Sequence, residues 1–147
     1  MDPTSNTPVV VLENIDRKVL LPIWIGVCEA NSIALELESV ESPRPMTHDL
    51  LRNIILTAGC SVDHIFIHNL EDSVFKASIQ IRDAAAAIHQ IDSRPSDAIA
   101  IALRTKVEVL VDPLVLEHGV MNATTVEETV RELLEKMRPE DMGEYEM

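Results

Sequence analysis

A chain of 147 residues, 46% of them hydrophobic and only 3% aromatic, is long enough for one domain with an aliphatic core and too apolar to be disordered by composition. Its net charge of −13 argues against tight, sequence-independent binding to nucleic acid, which draws its affinity from Lys and Arg. Part of that charge is local: from Glu127 to Met147 eight acids face three bases, a charge of −5, which leaves −8 for the body and room for a local cationic patch. No apolar run approaches the roughly 20 residues a membrane span needs. Met1-Asp2-Pro3-Thr4-Ser5 has neither the basic nor the apolar part of a secretory leader. Cys28 and Cys60 are too few and too far apart for a disulfide scaffold or a four-cysteine zinc site. They are expected to be two buried thiols in a reducing cytoplasm.

Along the chain, Pro8 to Leu12 is β-branched and apolar and predicts a strand; a polar turn leads to a second strand over Val19 to Ile25. Pro22 within it suggests an edge position or a bulge. Over 26–41 the period changes: Ala30, Ile33, Ala34, Leu37 and Val40 share one face of a helix that the prolines of "ESPRP" end. A second helix opens at Thr47 with an apolar stripe of Leu50, Leu51, Ile54, Ile55 and Ala58, and Gly59 suits its C-cap. Ile65 and Ile67, then Phe75, Ala77, Ile79 and Ile81, alternate with polar residues, as in an antiparallel hairpin with one buried face. "DAAAAIHQI" stays open between a short helix and a strand ending at Ile91. Pro95 at a first helical position and the alanine content favour a helix through "AIAIALR". A strand over Val107–Val111 and a short helix over Asp112–His118 follow. The last segment carries Val126, Val130, Leu133, Leu134 and Met137 on one stripe, opened by the capping box Thr125-x-x-Glu128 and ended by Pro139. Irregular alternation with a central hairpin predicts a single α+β domain, a mixed, largely antiparallel sheet packed with several helices. It covers 1–120, with a C-terminal amphipathic helix and acidic tail over 121–147.

Three groups of residues carry candidate chemistry. His64 and His68 would grip one metal on a helix, but on the expected strand they stand about 13 Å apart at ~3.3 Å per residue, so no zinc site is evident. Glu29, with Glu36, lies at the edge of its helix's apolar stripe, where a carboxylate can serve as acid or base or simply complement the helix dipole. The third group pairs Arg44-Pro45-Met46-Thr47-His48-Asp49 with Arg94-Pro95-Ser96-Asp97. Each has Arg-Pro, a hydroxyl, an acid and then an apolar helix. Proline holds the preceding arginine extended, beside a helix N-terminus suited to an anion such as phosphate. Asp49 and Asp97 in the first turns could hold a divalent metal or complement the dipole, and Asp92 could converge on Asp97 across the turn. A purely structural reading, caps and internal Arg–Asp pairs, stands beside the functional one.

The blocks "SNTPVVVLE", then "LPIWIGVCEANSIALELE" closely followed by "PRPMTHDLLRNII", then "IDSRPSDAIAIALR", resemble in order and spacing the bifunctional nuclease domain family of bacterial and plant proteins. The resemblance runs from about Asn6 to Leu116, and "LLEKMRPEDM" is similar to a C-terminal extension of bacterial members. Relatives usually carry a further strand ahead of the "SNTP" block. What the resemblance implies is an α+β fold, often assembled as a homo-oligomer, and the DNase and RNase activity assigned to plant members. The family's recurrent polar positions match Glu29, Arg44, Pro45, Thr47, His48, Asp49, Arg94, Pro95, Ser96 and Asp97 here.

Two functions follow from this inventory. As a nuclease on DNA and RNA, Arg44, Arg94 and Ser96 would bind phosphate, and Glu29, His48, Asp49 and Asp97 would supply acid and base. Asp92 with Asp97 would take Mg²⁺ or Mn²⁺. As a non-catalytic anion-binding or oligomeric module, the same residues would form a contact surface, which the charge and the scarcity of stacking aromatics favour. An open cleft lined by Arg94, Asp97, His48 and Glu29 speaks for the first; mutual burial of these residues speaks for the second.

Overall fold

The computed structural model describes residues 6–14, 16–119 and 121–122, with the side chains of the last two left aside. The predicted helix and tail beyond Asn122 lie outside the described residues. Valine and isoleucine set up β1 (Val9–Asn14) and β2 (Val19–Trp24), which pair antiparallel from Val9 opposite Trp24 to Asn14 opposite Val19. A two-residue strand, Met121–Asn122, joins the other side of β2 at Val19 and Leu20 only. Pro22 therefore sits where β2 has a partner on one side, and its missing N–H costs no ladder bond.

The second sheet holds β3 (Ser61–Glu71), β4 (Val74–Arg82), β5 (Ile88–Ser93) and β6 (Val109–Val111) in the order β5-β4-β3-β6. All pairs are antiparallel except β3 with β6. The α+β, mixed and largely antiparallel architecture expected from the sequence is present, divided over two sheets. Asp72 and Ser73, both at positive φ, close the β3–β4 hairpin in two residues, the twist that right-handed strands prefer. The ambiguous alanine segment resolves as a turn and a strand. Asp83 Oδ1 accepts the N–H groups of Ala85 and Ala87, and β5 then starts at Ile88 with six pairs to β4. One expectation is corrected in β4: Ser78 and Gln80, on the face away from Ala77 and Ile79, are also buried and hydrogen-bond each other at 2.9 Å.

Among the described residues, four helices cover the sheets: α1 (Val27–Leu37), α2 (Thr47–Thr57), α3 (Pro95–Thr105) and α4 (Pro113–Gly119). No helix among the described residues is long and apolar enough to cross a membrane. The centre is α3, which touches α1, α2, β3 and β4. Ala98, Ile99, Ala100, Ile101 and Ala102 are all buried, so "AIAIALR" is a helix apolar all round because every side is covered. Ile65, Ile67, Ala77 and Ile79 form the sheet face of this core.

Part of the expected apolar stripe of α1 is buried, Ile33 in the core with Ala30 against it, whereas that of α2 is mostly exposed. On α1 the buried residues are Ser32 and Ile33; Ala34 is exposed, Leu37 ends the helix exposed, and Val40 lies beyond it. On α2 only His48 is buried, with Asp49, Arg52 and Ile55 half-buried, while Leu50, Leu51 and Ile54 of the predicted core stripe face outward. Hydrogen bonds between helices, described below, decide this inversion. The cysteines are a further correction: Cys28 is exposed at the start of α1 and Cys60 is only half-buried.

Candidate functional site

Each of α1, α2 and α3 begins in the same way. The residues before the first turn, Gly26, Met46 and Arg94, are extended and contribute no side-chain cap. Three positions on, each helix carries an acid: Glu29, Asp49 and Asp97. A carboxylate there complements the free N–H groups and the helix dipole. Arg94 ties Glu29 to Asp97, and Arg104 holds Asp49.

Arg94, where β5 runs directly into α3, is the outer link. Its Nη2 donates to Glu29 Oε1 at 2.6 Å and its Nε to Asp97 Oδ2 at 2.8 Å. The other oxygen, Asp97 Oδ1, lies 2.9 Å from His48 Nε2, and His48 Nδ1 lies 2.8 Å from Ser32 Oγ. A neutral ring protonated at Nε2 satisfies both contacts, with Ser32 donating to Nδ1. The inner link is Arg104, at the far end of α3. Its Nε donates to Asp49 Oδ1 at 2.7 Å, and its remaining nitrogens reach the carbonyls of Ala100 and Ser32. Asp49 Oδ2 accepts the Met46 N–H at 2.9 Å. These bonds turn His48 and Asp49 of α2 and Ser32 of α1 toward α3; Ile33 stays in the core with Ala30 and Ile55 against it, while Leu50, Leu51 and Ile54 are left outside.

The pairing governs charge. A hydrogen bond from its own backbone and the Arg94 guanidinium hold the Glu29 carboxyl below its ordinary range. The Met46 N–H and Arg104 do the same for Asp49. Glu29 and Asp97 together raise Arg94 further above its usual value. Hydrogen bonds run in the order Ser32–His48–Asp97, but Ser32 is buried and has no approach for a substrate, so it is not placed as a nucleophile.

Of the residues picked from the sequence, Glu29, His48, Arg94 and Asp97 are brought into one network, and Asp49 into its inner branch. His48 is buried with both nitrogens engaged. Arg94 is the exposed member, with 67% of its side chain accessible. It lies between two clefts. One, on the side of Trp24 and Gly26, includes Ser96; the other includes Asp92 and Asp97. The resemblance between the two Arg-Pro stretches does not extend to their arginines. Pro95 is the first residue of α3 and Arg94 its cap, whereas Pro45 precedes the Met46 cap, so Arg44 falls two residues further out. Arg44 is exposed and has no ion-pair partner among the described residues. Sequence reasoning did not single out Ser32 and Arg104. Their partners lie 16 and 55 residues away, and no local spacing announces them.

Comparison with known proteins supplies a context for this geometry. The chain is 38% identical over 150 residues to "Uncharacterized protein Rv1829" and to "Uncharacterized protein MT1877", from two strains of Mycobacterium tuberculosis. The match covers 93% of this chain and 89% of either relative. The family model described as the bifunctional nuclease domain matches residues 10–124, which takes in both sheets and all four helices, and the chain belongs to that family.

Proposed function

We propose that this protein is a phosphodiester hydrolase acting on DNA and RNA in the cytoplasm, assisted by Mg²⁺ or Mn²⁺. The observation that carries the reading is Arg94, an exposed guanidinium held between Glu29 and Asp97 where two clefts meet. A guanidinium so fixed stabilises the charge that develops on a phosphate without reorganising. Glu29 and Asp97, the carboxylates beside it, would accept a proton from attacking water. His48 acts behind Asp97, holding the oxygen that Arg94 does not. Asp92 and Asp97 line one cleft, and Mg²⁺ characteristically takes one or two carboxylates together with substrate phosphate. These two residues would hold the ion, which would supply further neutralisation of the phosphate. Copies of the chain associate through the apolar residues that α2 turns outward.

A second reading, a non-catalytic anion-binding module, draws support from the way Glu29, His48 and Asp97 satisfy one another inside the protein. Cleavage of labelled single-stranded DNA and RNA, with and without Mg²⁺ or Mn²⁺, separates the two. The wild type should cleave, and Arg94→Ala and Asp97→Asn should each lose about 100-fold or more, the usual scale for removing one charge-stabilising group. Equal rates in wild type and both variants would remove the assignment. Binding without cleavage in any metal would favour the second reading.

A further inference from the structure

Trp24 is the chain's single tryptophan, in a sequence that holds only 3% aromatic residues. It ends β2. Its neighbours Ile23 and Ile25 are buried in the core, and strand alternation turns the indole the other way, where the residue is 53% exposed. A single exposed apolar side chain needs no reason of its own, and several others are exposed here. What sets Trp24 apart is its surroundings. Trp24 lines a cleft of about 360 Å³ that brings together the end of β2, Val74 and Phe75 after the hairpin turn, and Arg94 at the head of α3. A volume near the lower end of the range for small-molecule sites suits one flat group better than a duplex. Among the described residues that line it, Arg94 is the only charged one, in a molecule of net charge −13. A cleft that pairs an exposed indole with one guanidinium, and whose described lining holds no carboxylate though Glu29 and Asp97 bond that guanidinium, fits a flat π-system joined to an anion.

From this we infer that Trp24 is the stacking platform for an unpaired base of single-stranded nucleic acid, the base lying on the indole and the adjoining phosphate reaching Arg94. The inference rests on the nucleic-acid reading above and adds the form of the substrate. A base must leave its duplex partner to lie on Trp24, so single strands are bound in preference to duplexes. Arg94 lines both clefts, so a strand crossing it carries its base on the Trp24 side and the next phosphate toward Asp92 and Asp97.

The test uses the full chain with EDTA present. Trp24 emission is followed while oligothymidylate is added, and the anisotropy of a dye-labelled copy of the same strand is followed in parallel. Emission should quench along the binding curve. Trp24→Leu should weaken binding about tenfold or more, and Trp24→Phe, which keeps a ring, by much less. A duplex of the same length should bind more weakly and leave emission unchanged. Rising anisotropy with steady emission, and an unchanged affinity in Trp24→Leu, would overturn the role of Trp24 and leave the nuclease reading standing. No rise in anisotropy with any DNA or RNA strand would remove both.

Discussion

Asp49 and Arg104 meet across the contact of α2 with α3, and the two ends of the pair are unequally buried. The Arg104 side chain is 3% exposed, that of Asp49 25%. Removing the acid leaves a guanidinium charge in the interior with only carbonyls for company. Removing the arginine leaves a carboxylate that water and the Met46 N–H still reach. Asp49→Asn should therefore cost more than Arg104→Met, toward the lower end of the ~3–5 kcal/mol typical of a broken buried pair because the two carbonyl bonds remain. Urea unfolding of both variants checks the order, and a larger loss in Arg104→Met would refute it. The same pair gives a pH signature. The folded Asp49 carboxyl lies below its ordinary value of 3.8 and that of Glu29 below 4.5. A depressed carboxyl contributes stability that is present above its unfolded value and fades as pH falls through the folded one. Stability should hold above about pH 5 and decline below it, with a shallower decline in Asp49→Asn. At this scale the sequence disclosed the acids, since an acid in the first turn has a local reason. It did not disclose Ser32 or Arg104, whose reasons are contacts between distant segments.

The elements themselves were legible because each has a local cause. Pro95 starts α3, the alternation over 75–81 makes β4, and the proline-rich 43–45 stretch keeps α1 and α2 apart. Their orientation was less so. Periodicity identifies the apolar side of α2 but not what that side meets, and here His48 and Asp49 on the other side bond to Asp97 and Arg104. Leu50, Leu51 and Ile54 are left exposed; Leu51 lines a cleft with Ile91 of the edge strand β5, and Ile88 and Ile91 are exposed as well. For a helix that never met another chain, Leu51→Ser with Ile54→Ser would change stability little, since neither side chain is deeply buried. For a helix that joins copies, the double variant should sediment as a smaller species than the wild type while its circular dichroism stays the same. Identical sedimentation of the two proteins would show that α2 does not carry the association.

At the scale of the whole molecule, a net charge of −13 is at odds with a polyanionic substrate, and the two can be reconciled only locally. The clefts beside Arg94 offer few cations: Arg94 itself on one side, joined by Lys76 on the other. Even these are shared, Arg94 with Glu29 and Asp97, Lys76 with Glu71. Affinity for a strand must then come mostly from stacking and from specific bonds rather than from release of counterions. For single strands the logarithm of the binding constant falls by ~0.7 per neutralised phosphate for each tenfold rise in salt. One or two phosphate contacts predict a slope of about −0.7 to −1.4. Anisotropy titrations of one labelled oligonucleotide across a potassium chloride series measure it directly. A slope steeper than about −4 would mean that the strand lies on a cationic surface elsewhere, and Arg94 would lose its place as the phosphate contact. Association of copies should respond to salt with the opposite sign, because screening relieves repulsion between chains of like charge while apolar burial on α2 is unaffected. A protein whose strand binding weakens gently with salt while its self-association strengthens would carry both signatures of a few shared cations on a strongly acidic body.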